Sequence, residues 1–284
     1  MPETLVPEIR IGAGLARIEE DRHSPGCYTL VVDGTPQSHV DLGEPRNLSF
    51  EYVRRIGHAI DLLPAGPITA VHLGAGALTL PRYVEATRPG SRQQVLELES
   101  ELVDFVRREL PLPKGASVRV RYGDARETLG KLPAGLRGAA DLVVVDVFAG
   151  PQTPAHVTSV EFYRDVVELL APHGIVAVNV ADNSQLQFVR SQAATLSAVL
   201  PHVAAVADTS MLKGRRFGNV VLLGSATPLP LEALPRVLAG DPWPSKAVAG
   251  AELTAWIAGA PVSTDATATP SPLPGRTVFS VKRD

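Results

Sequence analysis

From about residue 47 onward the chain alternates between two hydrophobic periodicities. ITAVHL reads as a short buried strand and LTLPRYVEAT as a helix. QQVLELE is again a strand. SELVDFVRREL follows with Leu102, Val103, Val106 and Leu110 along one helical face. SVRVRY and ARETLGKL repeat the pair, and ADLVVVDVF is apolar throughout, as the middle strand of a parallel sheet must be. Thr158 with Glu161 forms a capping-box pattern at the start of the helix VEFYRDVVELL. GIVAVNVAD, the helix SQLQFVRSQAATLSAVL, and two strands near HVAAVAD and NVVLLGS complete the series. Strand–helix alternation of this kind predicts an α/β, doubly wound, mostly parallel sheet of seven strands, with an antiparallel hairpin at one edge.

The flanks read differently. Residues 1–46 hold short β-like runs, with Asp33-Gly34 as a hairpin signal, and predict a small antiparallel N-terminal unit. Residues 47–225, which carry the strand–helix alternation, are expected to form one Rossmann-like ligand-binding domain. Residues 226–284 are rich in Pro, Ala and Thr and predict a helix over AVAGAELTAWIAG, followed by an irregular tail.

Bulk properties narrow the class. The 284 residues are 45% hydrophobic and 20% charged, with a net charge of −3 and a pI near 6.2. Such a chain has room for one large core, or one core plus a small appendage, and carries no basic footprint for nucleic acid. A single cysteine, Cys27, leaves no intrachain disulfide framework. No apolar run reaches the length of about 18 residues that a membrane span needs, and the start MPETLVPEIRIGAG has no signal-peptide pattern. A cytoplasmic protein is expected.

Open parallel sheets bind ligands beyond the carboxyl ends of their strands. Those positions here hold Gly74-Ala75-Gly76, then Glu97 and Glu99, Gly123-Asp124-Ala125, Asp146, and Asp182-Asn183. Thr79 stands where a dinucleotide motif wants Gly or Ala, and the acids would repel a pyrophosphate, so NAD fits poorly. Glu97 lies at the spacing of an acid that grips ribose hydroxyls. Asp124 suits the adenine amino group, with the Ala125 N–H toward a ring nitrogen. The ligand these residues describe is an adenosine without phosphate.

In their order, LGAGA, VLELE, YGDA and LVVVDVFAGPQTPAHVTSVEFYRDV resemble the polyamine aminopropyltransferase (spermidine synthase-like) family, which shares the class I methyltransferase fold. VVDGTPQS resembles that family's N-terminal hairpin. The resemblance implies Gly74, Ala75, Gly76, Glu97, Asp124 and Ala125 around decarboxylated S-adenosylmethionine or S-adenosylmethionine, with Gln37 lining the site. It implies Asp146 as base and amine anchor, Tyr52 and Asn183 near an amine substrate, and a homodimer. It implies no metal, because a sulfonium is already a strong electrophile. Departures concentrate in the amine half. Asp146-Val147-Phe148-Ala149-Gly150 keeps the first acid of the family signature and has Ala149 in place of the second. The glycine loop holds fewer glycines than the family's.

Aminopropyl transfer to an amine is therefore expected. Methyl transfer from intact S-adenosylmethionine and a non-catalytic nucleotide-binding role are the alternatives. His156, Asp265 and the Lys213-Gly214-Arg215-Arg216 turn read as exposed loop residues, and Glu99 as a helix N-terminal acid.

Overall fold

The computed structural model describes residues 6–274; residues 1–5 of the expected N-terminal unit and 275–284 of the expected tail lie outside them. The chain opens with β1 (Glu8–Ile11), β2 (Gly14–Glu20), β3 (Cys27–Val32) and β4 (Thr35–Asp41), an antiparallel sheet in sequential order. The Asp33-Gly34 turn joins β3 to β4, both residues at positive φ, as a tight hairpin requires.

Then follow α1 (Glu51–Asp61), β5 (Thr69–Leu73), α2 (Thr79–Thr87), β6 (Arg92–Glu97), α3 (Ser100–Glu109), β7 (Ser117–Tyr122), α4 (Ala125–Leu129) and β8 (Ala140–Val145). The chain continues through α5 (Val160–Val167), β9 (Leu170–Asp182), α6 (Gln187–Ser197), β10 (His202–Asp208), α7 (Thr209–Leu212) and β11 (Gly218–Ser225). It ends with α8 (Leu234–Ala239), β12 (Ser245–Ala249) and α9 (Gly250–Ile257).

The second sheet has eight strands in the order β12-β10-β11-β9-β8-β5-β6-β7. Neighbours from β9 to β7 pair in parallel, while β11 and β12 run against their partners. The strand beyond the expected seven is β12. Residues 247–249 were expected to be helical, but they pair with the otherwise open edge of β10, and only Gly250–Ile257 is helix. An unpaired strand edge is a row of unsatisfied backbone groups, and a short small-residue segment satisfies it readily.

The middle strands are buried on both faces. In β8, Val143 and Val145 join one core while Leu142 and Val144 join the other. A third core lies between the N-terminal sheet and the domain. Ile11, Leu30, Val32 and Val40 pack there with Leu78 and with Leu102, Val103 and Val106 of α3. The N-terminal unit therefore shares its apolar face with the strand ends where the site forms. Among the described residues no helix is long and apolar enough to cross a membrane.

Local signals held with small shifts. The α5 cap is Ser159, whose hydroxyl accepts the Phe162 N–H, and not Thr158. Thr158 instead donates to the Ala155 carbonyl at 2.7 Å, and Glu161 accepts the N–H of Asp265 at 2.9 Å.

Candidate active site

Chain direction reverses outward from β5 and β8, and the crevice beyond their carboxyl ends is the switch point of the sheet. The Gly74 N–H bonds the Leu96 carbonyl and the Asp146 N–H bonds the Leu73 carbonyl, both at 2.9 Å, so the three strand ends are tied together. Gly74 has φ +94°, and a Cβ there would lie 2.2 Å from the Asp146 carbonyl oxygen. Only glycine fits both demands. Gly76 has φ +49°, and a Cβ would approach the Ser38 hydroxyl to 2.5 Å, which is how closely β4 covers the turn. Thr79, where a dinucleotide motif wants Gly or Ala, bonds the His39 carbonyl at 2.9 Å and fastens the same cover.

Glu97 is set before any ligand arrives. One carboxylate oxygen accepts the Ala75 N–H at 2.8 Å and the other the Glu99 N–H at 3.0 Å. Each oxygen keeps acceptor capacity for a further partner, so a fixed acceptor pair faces the cavity. Glu99 accepts the Gly12 N–H at 3.0 Å and closes the N-terminal sheet onto α3. It is thus more than a helix-end charge.

Asp124 caps α4, accepting the Arg126 and Glu127 N–H groups on one oxygen at 2.9 and 3.1 Å. Its other oxygen meets His156 Nε2 at 2.7 Å. Burial works to raise its pKa, but the Glu127 N–H, His156 and the Arg126 N–H hold it below the usual carboxylate range. His156 is exposed, as expected, yet it forms a wall of the site and bonds the Asp124 carboxylate that is expected to meet an adenine amino group.

Gly74, Ala75, Gly76, Glu97, Asp124 and Ala125 all line one cavity of about 340 Å³. Asp146, Gln37 and Tyr52 line it too. His72 forms part of its floor, bonded to Gln93 at 3.0 Å, with burial pushing its imidazole down to about 4. It is neutral at pH 7.

Asp146 lines this inner cavity, and its partners Asn179 and Tyr52 line a second one. Burial pushes its carboxyl up to about 6, against hydrogen bonds from Asn179 and Tyr52 that favour the anion; the nearby Glu97 charge raises it further. Asn179 Nδ2 donates to Asp146 Oδ1 at 2.8 Å. Tyr52 is held well above its ordinary pKa by burial and by Asp146, so its hydroxyl keeps its proton.

Asn183 does not join this group. Its side chain accepts the Gln185 N–H at 2.8 Å, and it lines a separate cavity beside Phe188. Asp182 turns away as well, accepting the Asn183 and Val189 N–H groups. The residue that sequence reading missed is Asn179, which follows Val178, the register partner of Val145. Its signal was present: one amide inside the apolar run GIVAVNVA, a cost unless that amide has a partner.

The outer cavity, about 430 Å³, shares Gln37, Tyr52 and Phe148 with the inner one. Phe50, Phe217, Trp243 and the Asn179 amide form much of its remaining wall. Glu51 lines it, but its carboxylate accepts from Arg55 at 2.9 Å and from Arg216 at 2.8 Å. Arg216 also pairs with Asp208. Of the expected solvated turn, Lys213 and Arg215 are exposed, while Arg216 is one arm of a charge cluster with Glu51 and Asp208.

Asp265, expected as an ordinary loop residue, grips Arg126 through both oxygens at 2.6 and 2.8 Å and accepts the Ser159 hydroxyl at 2.5 Å. These bonds hold its carboxyl at about 2. Ser271 then bonds Thr153 in both directions, at 2.8 and 3.0 Å. Part of the expected irregular tail is therefore a strap along the segment that carries His156.

No family model matches the chain. Among curated relatives, the polyamine aminopropyltransferase of Vibrio vulnificus is 26% identical over 144 residues, 50% of this chain and 47% of that protein. That of Neisseria meningitidis is 25% identical over 146 residues, 51% of this chain and 54% of that protein. The chain spans about half the length of the curated relatives it matches. The spermidine synthase of Thermotoga maritima shares the fold, with a TM-score of 0.59 at 14% identity over 82% of this chain and 77% of that one. A probable spermidine synthase from Corynebacterium glutamicum superimposes with a TM-score of 0.84 at 32% identity, covering 92% of this chain and 96% of that one. With a likeness at that identity over nearly the whole of both chains, the chain belongs to the spermidine synthase-like, polyamine aminopropyltransferase family.

Proposed function

We propose that this protein transfers an aminopropyl group from decarboxylated S-adenosylmethionine to an amine and releases methylthioadenosine. The observation that carries the reading is Asp146, a buried carboxylate raised to about 6 that lines the inner cavity and is bonded to Asn179 in the wall of the outer one. In this reading Glu97 accepts the ribose hydroxyls, and Gly74, Ala75 and Gly76 let the nucleoside approach the backbone. Asp124 and Ala125 face the adenine, while Gln37 separates donor from acceptor.

An amine reaches the site as an ammonium, with a pKa of about 10. Asp146 attracts it and accepts one proton, for which a desolvated carboxylate is a better base than an exposed one. The freed lone pair attacks the methylene carbon beside the sulfonium. A C–N bond forms, the C–S bond breaks, and its electron pair returns to sulfur, leaving a neutral thioether. Asn179 and Tyr52 orient the carboxylate, and holding both reactants in line supplies much of the rate.

A spermidine synthase of the same fold is known with the transition-state analogue AdoDATO, and human methyltransferase-like protein 13 with SAH, which supports an S-adenosylmethionine-related ligand here. Among the described residues no lysine or arginine lines the inner cavity, which favours the decarboxylated donor over the intact one with its carboxylate. A cytoplasmic homodimer goes with the reading; light scattering tests the dimer.

The test is methylthioadenosine release from decarboxylated S-adenosylmethionine with a panel of amines, beside tubes with intact S-adenosylmethionine scored for adenosylhomocysteine. Amine-dependent release that vanishes in Asp146→Asn is the expected result. Adenosylhomocysteine instead would mean methyl transfer, and silence in both with normal nucleoside binding would mean a non-catalytic role.

A further inference from the structure

We infer that the acceptor is an amine with one cationic nitrogen on an apolar body, an alkyl or aralkyl monoamine, and not a diamine. The inference rests on the aminopropyl-transfer reading and concerns the outer cavity. Two like charges on a substrate need two anions in the pocket, because an ammonium loses its hydration on entry. Asp146, in the inner cavity and bonded to Asn179 of the outer wall, is one. Among the described residues the carboxylate that lines the outer cavity itself is Glu51, and it is already matched. Arg55 and Arg216 both bond it, and Arg216 in turn pairs with Asp208. Two carboxylates and two guanidinium groups sum to zero. Arg55 is 2% exposed and further fixed by Ser245 Oγ at 2.8 Å, so it cannot swing away to release Glu51.

What the wall offers in place of charge is aromatic surface. Phe50, Phe148, Phe217 and Trp243 line the cavity, and Trp243 is 46% exposed at its edge, an apolar face that a substrate body would cover. Aromatic faces attract an ammonium more weakly than its dehydration costs, and the Arg216 guanidinium on the same wall repels one. An alkyl or phenyl group gains from every part of that surface.

The cleanest comparison is pentylamine against cadaverine, which share a five-carbon chain and differ by one ammonium, with phenethylamine beside them. Methylthioadenosine release gives kcat/KM for each. Pentylamine and phenethylamine are expected to exceed cadaverine and putrescine at least tenfold. A diamine equal to or better than pentylamine overturns the inference and leaves aminopropyl transfer standing.

Arg216→Gln removes one of the two cations on Glu51 and is expected to move the pentylamine-to-cadaverine ratio toward the diamine about tenfold; an unchanged ratio counts against the inference. Should no amine release methylthioadenosine, the transfer reading falls. Calorimetric titration of pentylamine and cadaverine in the presence of methylthioadenosine then decides the pocket by itself. Tighter pentylamine sustains the pocket's preference for a single cation on an apolar body; cadaverine equal or tighter, or neither bound, overturns it.

Discussion

Asn179 donates its Nδ2–H to Asp146 Oδ1 at 2.8 Å, and its own Oδ1 is buried with no partner among the described residues. The amide is thus oriented by the carboxylate, at the cost of an unpaired buried carbonyl oxygen. A hydrogen bond to a charged group favours its charged form. Asn179→Leu is therefore expected to push the Asp146 carboxyl higher. On the proposed mechanism, wild-type activity is expected to fall as pH drops through about 6, where Asp146 takes up a proton. In the variant that acid limb should move up by about one unit, since such a bond is worth about 1.5 kcal/mol or more. A limb that stays in place would show that Asn179 does not tune the base.

The same raised carboxyl costs stability. Its folded value of about 6 lies above the ordinary 3.8, so between those values the folded chain binds more protons than the unfolded one. Stability then falls as pH rises through that window, and the cost is full above it. The difference corresponds to on the order of 3 kcal/mol. Asp146→Asn should melt higher than wild type near neutral pH while losing activity, with the two curves converging below about pH 4. Equal melting at all pH values would show that burial does not strain this carboxylate.

Glu97→Ala removes the acceptor pair and also frees the Ala75 and Glu99 N–H groups it holds. Methylthioadenosine binding by calorimetry should weaken about thirtyfold, on the order of 2 kcal/mol for bonds to a charged acceptor. Glu97→Gln keeps one acceptor oxygen and should fall between. Unchanged affinity in Glu97→Ala would remove this residue from the nucleoside site.

Asp265→Ala cuts the strap from Arg126 and Ser159. The pair is half exposed, so global melting should shift little. Hydrogen exchange should instead rise locally over residues 150–158, and the KM for the amine should rise with it. Protection unchanged in that segment would mean the strap holds nothing down.

The strand-end rule brought Gly74, Glu97, Asp124 and Asp146 to one cavity because their positions follow from local periodicity and parallel topology alone. Other features depend on partners far away in the chain. Asp265 gains its meaning from Arg126, 139 residues earlier, and Arg216 from Glu51, 165 residues earlier. No local pattern distinguishes such residues from solvated loop charges. Asn179 was legible only as an interruption in an apolar run, whereas Asn183 drew attention by standing at the strand end. Residues 247–249 read as helix because small apolar residues suit either state, and the open edge of β10 decided between them.

The edge strand β12 has a consequence for how this fold diversifies. The inner cavity is assembled from neighbouring strand ends whose backbones are bonded to one another, so few changes are tolerated there. The outer cavity takes Trp243 from the connection just before β12, and Ser245 at the start of that strand steadies Arg55. That connection lies at the margin of the sheet, beyond the parallel strands. A lineage can rewrite it and reshape the outer cavity while inheriting the inner cavity and Asp146 intact.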